Sequence, residues 1–314
     1  MRRVFYLSLL ILFPLSLSAQ NYYYLLAEGD SLLKAGNYKL AAEKMDTAYR
    51  MGTGRMTDQD FLQFARCTMK TGDLEKAYLL LQASINFGYT NMQNLEKVAE
   101  LQPLRNDSAK WANIRRQVVD KRRDIESWWD KPLKIKLDSI YDAYKHLAVM
   151  ADSIKRKEGL QSPQIAAIER QVKKDDSVYM KTIIEILSDA AFVAHYPSVE
   201  RIGKKGNELV WMLLQRADYQ TQQKYWPEMA VFTYFNKSEE PNLAKLSDEM
   251  CVHIGQKQHY GCLFVPVPGS TNEFQFLDIE DVEHVNERRN SKGLPPLELF
   301  ARKYNIRLPA GFKP

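Results

Sequence analysis

The chain has 314 residues, of which 45% are hydrophobic, 26% charged and 11% aromatic, and its formal net charge is +5. That length suggests about two domains, and the composition excludes a chain kept disordered by high charge and low hydrophobicity. Arg2 and Arg3 fall in a segment expected to be removed, which lowers +5 to +3, too little to argue for nucleic acid.

Residues 1–19 read as a secretory signal peptide. Arg2 and Arg3 give a positive start, Val4 to Leu17 is an apolar run broken by Tyr6, Ser8, Pro14 and Ser16, and small residues follow at Ser18 and Ala19. The run falls short of the roughly 20 residues of a helical span. Cleavage is expected after Ala19, although Leu17 is not the best residue three positions before the cut; an uncleaved anchor helix is the other reading. With no Cys nearby, a lipid anchor is not expected. No later stretch approaches 18 continuous apolar residues, so no integral membrane segment is expected after cleavage. The expected location is periplasmic or secreted.

Residues 20–123 carry an internal repeat. Gly29, Gly36-Asn37-Tyr38, Ala41 and Ala48 recur 36 residues later as Ala65, Gly72-Asp73-Leu74, Ala77 and Ser84. Gly at a turn permits the left-handed backbone that ends a helix, and small residues let helix axes approach where they cross. Leu25, Leu32, Leu33, Leu40, Met45 and Ala48 fill the remainder at helical spacing. The pattern resembles the tetratricopeptide repeat, whose period is about 34 residues. The resemblance implies stacked helical hairpins with an extended surface for a peptide or protein partner. About three units are needed to cover the open faces. Asn91 to Arg123 is expected to supply the last one, with stripes at Leu95, Val98, Leu101 and Leu104, then at Trp111, Ile114 and Val118. Asp107 or Ser108 is the expected N-cap between them. Arg115, Arg116, Lys121, Arg122 and Arg123 read as a solvated helix face or as an attractor of anions.

Residues 124–314 read as a second, mostly helical domain. Trp128-Trp129 and Lys131-Pro132 mark the join, with Pro132 suited to a first helical turn. Helical stripes follow at Ile140, Tyr144, Leu147 and Met150; at Val178, Ile183, Ile184 and Leu187; at Val210, Leu213, Leu214 and Ala217; and at Leu243, Leu246 and Met250. Leu263 to Val267 and Phe274 to Phe276 flank a turn-rich loop and predict a β-hairpin. Asp281 to Lys292 reads as helix stopped by Gly293-Leu294-Pro295-Pro296, and Leu297 to Tyr304 as a last short helix. The fold class expected is mainly α: helical hairpins, then a mostly helical domain with a small β-hairpin.

Gln215-Arg216-Ala217-Asp218, Leu243-Ala244-x-Leu246-x-Asp248, Gln258-His259-Tyr260-Gly261 and Arg288-Arg289-x-x-x-Gly293-Leu294-x-x-Leu297 follow one another in order. This series resembles a bacterial domain family of unknown function with the pattern Gln-His-Ala-Asp, Gln-x-Tyr-Gly-Thr-Gln and Arg-x-x-x-Gly-Leu. Arg216 stands where that family has His, and Cys262 where it has Thr. The likeness covers roughly Lys136 to Tyr304 and implies grouping without an activity.

Gln215, Asp218, Gln258, Tyr260 and Arg288 are the candidate polar site. Asp218 suits a general base there, with Arg and Gln orienting an oxyanion; the alternative is that these residues satisfy one another structurally. Cys251, His253, His259 and Cys262 give a weaker zinc reading, against which stand their spacing and the expected export. Cys251 and Cys262, eleven residues apart, are also a candidate disulfide, while Cys67 suits a buried position. His146, His195 and His284 read as surface residues. No cofactor motif is present in the sequence. The expected function is an exported helical-repeat protein binding a peptide or protein partner in the cell envelope. An enzyme or small-ligand-binding protein, with its site in the second domain, is the alternative.

Overall fold

The computed structural model describes residues 22–51, 56–159, 162–188, 196–235, 239–270 and 273–313. The expected signal segment, residues 52–55, His195 and Thr271-Asn272 lie outside them. The fold is mainly α with a small sheet near the C-terminus, and it divides into two compact units, Met1–Ser127 and Trp128–Pro314.

The first unit is a run of helical hairpins. Helix α1 covers 22–34 and α2 Tyr38–Arg50; α3 is Asp58–Lys70 and α4 Leu74–Asn86. The third hairpin has a broken first limb, α5 (Met92–Lys97), a 3-10 turn (Ala99–Leu101) and α6 (Gln102–Asn106), before α7 (Ser108–Ser127). Gly36 and Gly72 hold φ of +78° and +91° with open space around them, so their role is the backbone turn. At the first turn the N–H of Gly36 donates to Leu33 O (3.0 Å) and that of Asn37 to Leu32 O (2.9 Å), satisfying carbonyls at the end of α1. Gly29 serves proximity: a Cβ there would lie 2.9 Å from Met45 Cγ across the hairpin. Ala41, Ala65 and Ala77 are completely buried. Thr57 closes a capping box with Asp60, and Asp73 and Asp107 each accept an N–H three residues on, from Lys76 and Lys110, at 3.0 Å. One core joins these helices, through Met45, Phe64, Leu81, Leu95, Leu104, Trp111 and Ile114 among others. Leu40 departs from its expected packing role: the small Ala41 beside it faces inward, and Leu40 is 37% exposed.

The second unit opens with two long antiparallel helices, α8 (Lys131–Glu158) and α9 (Pro163–Leu187), both packed against α10 (Val199–Arg216). Pro132 sits in the first turn of α8, where Asp130 accepts the N–H of Leu133. Buried residues of α8 run only from Leu137 to Tyr144, and α9 has none between Ile165 and Ile183. Met150 and Val178, expected in apolar stripes, are therefore 42% and 55% exposed. Helix α10 starts eight residues before Asn207, with a kink at Gly203, and buries Leu209, Val210, Trp211, Leu213 and Leu214. Helices α11 (Tyr219–Phe235) and α12 (Glu240–His253) complete this core. No described helix of the chain is long and apolar enough to cross a membrane.

The C-terminal part holds the expected hairpin, β1 (Phe264–Pro266) antiparallel to β2 (Phe274–Phe276), with Phe264 opposite Phe276. A third strand, β3 (Ile306–Arg307), runs parallel to β2, with Ile306 opposite Phe274. The helix expected over Asp281–Lys292 is a 3-10 turn (Val282–His284) running into α13 (Val285–Ser291); α14 is Leu297–Tyr304.

Candidate functional site

The five polar residues singled out in the sequence fall into two hydrogen-bond networks. Gln215 is buried at the end of α10; its side-chain N–H reaches Asn242 O at 3.4 Å, and its carbonyl accepts the Gln222 amide at 2.8 Å. Asp218 stands at the start of α11, accepting the N–H of Thr221 (2.9 Å) and its hydroxyl (3.0 Å). The Thr221 N–H is the main reason its carboxyl lies below the usual carboxylate range. These are the contacts of a helix cap.

Gln258, Tyr260 and Arg288 belong to a loop built around Asp248 of α12. The buried Asp248 accepts the N–H groups of His259 (2.7 Å), Tyr260 (3.0 Å) and Cys262 (2.9 Å). Burial holds its carboxyl above the ordinary range, opposed by those donors. Gln258 is fully buried: its amide donates to Leu263 O and Leu277 O (3.0 and 2.8 Å) and its oxygen accepts the Leu263 N–H. Arg289, also fully buried, donates to Tyr260 O (2.6 Å), Gly261 O (3.1 Å) and Pro295 O (2.7 Å), with its guanidinium over the Phe300 ring. Arg288 donates to His259 O (2.8 Å), Glu280 O and Asp281 O (2.9 Å). Gly261 takes φ +66°, and a Cβ on it would stand 2.9 Å from both Ile279 and Leu297 side chains. Gly293-Leu294 ends α13 by donating to Asn290 O and Arg289 O. The motif residues thus organise main chain, and Tyr260 keeps a partly exposed ring whose hydroxyl is pushed up mainly by burial.

Two groupings were not singled out in the sequence. The first is a surface pair of carboxylate-held imidazoles: His259 Nδ1 lies 2.6 Å from Glu280, and His284 Nδ1 2.9 Å from each oxygen of Asp281. Asp281 adopts a left-handed φ of +42°, unusual for a non-glycine residue. Its hydrogen bond raises the pKa of His284. An imidazole held at one nitrogen can carry a proton on the other. The second is a buried seam. Glu239, just ahead of α12, accepts the Trp211 indole N–H and the Asn242 amide, both at 2.9 Å. Burial holds its carboxyl above the ordinary range. Asn207, Trp211 and Gln215 recur every four residues on α10, and that polar spacing on an apolar helix was the available signal.

The three cysteines are free thiols; burial pushes the pKa of Cys67 up to about 12 and also raises Cys251 and Cys262. Among the described residues, no group of three or more His, Cys, Asp or Glu side chains could hold a metal ion.

The first unit presents a different kind of surface. From Phe61 to Lys70, helix α3 is buried except at Gln63, Arg66 and Lys70, and Gln59 extends that line. Thirty-six residues earlier, Tyr23, Ala27, Asp30 and Lys34 hold the same register on α1 and are likewise not buried. Lys97 and Glu100, 34 residues beyond Gln63 and Arg66, carry the line into the third hairpin. Arg66 spans the units of the stack, donating to Gln63 (2.6 Å) and Glu100 (2.8 Å). No protein-family model matches this chain, and no curated protein or solved structure matches it either.

Proposed function

We propose that the protein is an exported, tetratricopeptide-like repeat protein that binds a peptide or protein partner in the cell envelope through the uncovered face of α1, α3 and α5. Cleavage after the small residues at Ser18 and Ala19 releases the chain to the periplasm or the exterior. The observation that carries the binding role is the register of that face. On α3 the line Gln59, Gln63, Arg66 and Lys70 stays open while the other side of the helix buries Phe61, Phe64, Ala65 and Thr68, and the positions 36 residues earlier on α1 are likewise not buried. Stacked hairpins present such lines as a continuous surface for a partner chain.

Site-directed photo-crosslinking in the producing cell tests this. A crosslinker at Gln63 is expected to yield a discrete partner adduct, and one at the exposed Leu79 of α4 is expected to yield none. Adducts arising only from positions in the second unit would transfer the binding role there. A second reading, ligand binding or proton transfer by the second unit, draws its support from the His284–Asp281 pair and not from the five residues first singled out, whose polar groups mostly serve main chain.

A further inference from the structure

In the second unit, the strap Asp278–His284 is fastened to the loop around Asp248 in three ways. Main chain is the first: the Gln258 N–H donates to Asp278 O (2.9 Å) and the Glu280 N–H to Gln258 O (2.8 Å). Arg288 is the second, donating to His259 O (2.8 Å) on the loop and to Glu280 O and Asp281 O (2.9 Å) on the strap. Two imidazoles are the third. His259 on the loop holds Glu280 through Nδ1 at 2.6 Å, and His284 at the end of the strap holds both carboxylate oxygens of Asp281 at 2.9 Å. Glu280 and Asp281 are consecutive, so both pairs act at one corner. Asp281 turns that corner at a φ of +42°, a conformation uncommon for any residue but glycine.

The strap also carries apolar cover. Ile279 is buried and closes against Gly261, where a Cβ would stand 2.9 Å from its side chain. It clusters with Val285 and Leu297, and Val282 packs on them. Of the three fastenings, only the imidazoles gain or lose charge near neutral pH. The field around each is mainly negative. Glu283 and Glu287 act on His284 beside Asp281, with Lys313 on Glu283 at 2.7 Å and Arg288 3.5 Å from Asp281. At His259, Asp248 accepts the main-chain N–H and the Tyr260 ring lies 6.3 Å away, while Glu280 also acts on the Cys251 thiol.

We infer that Asp278–His284 is a pH-sensitive latch: protonated His259 and His284 hold it shut over the Ile279 cluster, and loss of those protons loosens it while Arg288 keeps it attached. The direction follows from His284. Its hydrogen bond to Asp281 raises its pKa in the closed strap. Its contribution to closure is therefore fully present below the ordinary histidine value of about 6.5. That contribution is lost as pH rises through the higher closed value.

Hydrogen exchange of the full mature chain tests this at about pH 5.5 and about pH 8, either side of the histidine range, with labelling times scaled for the pH dependence of chemical exchange. Amides of residues 278–284 should lose protection roughly threefold at the higher pH, the scale of two exposed ion pairs, while those of α10 do not. The His259→Gln/His284→Gln variant should show the lower protection at both pH values. Glu280→Gln/Asp281→Asn should do the same from the carboxylate side, since Asn tolerates the left-handed corner. Strap protection that ignores pH in the natural protein overturns the inference, and so does a pH response retained by either variant once circular dichroism shows it folded. If neither variant folds, the natural protein in raised salt decides: a response that shrinks supports the latch, and one that persists unchanged overturns it.

Discussion

Asp248 and Arg289 bring opposite charges to one tight loop, and each uses its charge on main chain. A carboxylate only accepts and a guanidinium only donates, so the N–H groups of His259, Tyr260 and Cys262 turn to Asp248 while the carbonyls of Tyr260 and Gly261 turn to Arg289. The order of the Gln, Tyr-Gly and Arg motifs was legible in the sequence, but the job of each residue was not, because a main-chain partner leaves no residue-type signature. The same holds at Arg288 and Arg289: adjacent and chemically identical, they differ in that Arg289 is fully buried. Glu239 was overlooked for another reason: only the fold reveals that the indole of Trp211 meets it. Its folded pKa is raised by burial, so the stability linked to its protonation is fully present below the unfolded value of about 4.3. That stability is lost as pH rises through the higher folded value. Glu239→Gln keeps an oxygen for the Trp211 and Asn242 donors and removes the ionisation. Urea unfolding should therefore show the natural protein gaining on the variant as pH falls into the acid range, and the variant equal or more stable at neutral pH. A gap that does not change with pH would place the ionised carboxyl in a site that does not penalise it.

Helical hairpins were legible where small residues recur at fixed spacing, since the turn and the axis crossing each restrict residue type. Gly29 illustrates the second restriction. It sits inside α1, where glycine costs about 1 kcal/mol relative to alanine, and is kept against that cost because Met45 Cγ lies 2.9 Å from where a Cβ would be. Gly29→Val adds a branched side chain at the crossing and should destabilise the α1–α2 hairpin by about 1–3 kcal/mol. Hydrogen exchange read by mass spectrometry should show faster opening of α1 and α2 amides, with less effect on α7. Unchanged protection would mean that the crossing has room that the glycine does not signal. Helix α11 shows where periodic reading fails: it carries Pro227 within its length and lacks one apolar stripe, and it is helical because α10 and α12 both pack against it. Met150 and Val178 fail differently. They keep correct helical spacing, but the stretches that carry them contribute few buried residues, so periodicity alone overstated the core.

At the scale of the chain, two sets of buried side chains share no member. One runs from Tyr22 to Val118 in the first unit; the other runs from Leu137 to Leu246, with a small third cluster of Ile279, Val285 and Leu297 beneath the C-terminal sheet. A unit with its own core, closed caps and satisfied loop groups has what independent folding needs. The second unit has the core: Leu209 to Leu214 of α10 are mostly buried at its centre, Asp130 caps α8, and Asp248, Gln258 and Arg289 take up main-chain groups of the loop after α12. Residues 128–314 expressed alone should therefore fold, giving a helical spectrum, dispersed amide resonances and a single cooperative urea transition with a stability of roughly 5 kcal/mol or more. A fragment that binds hydrophobic dyes and unfolds without cooperativity would show that its core depends on the first unit. In the expected case, any proton-transfer or ligand chemistry at His284 can be assayed on the fragment, and the Gln63 partner crosslink should have no counterpart in it.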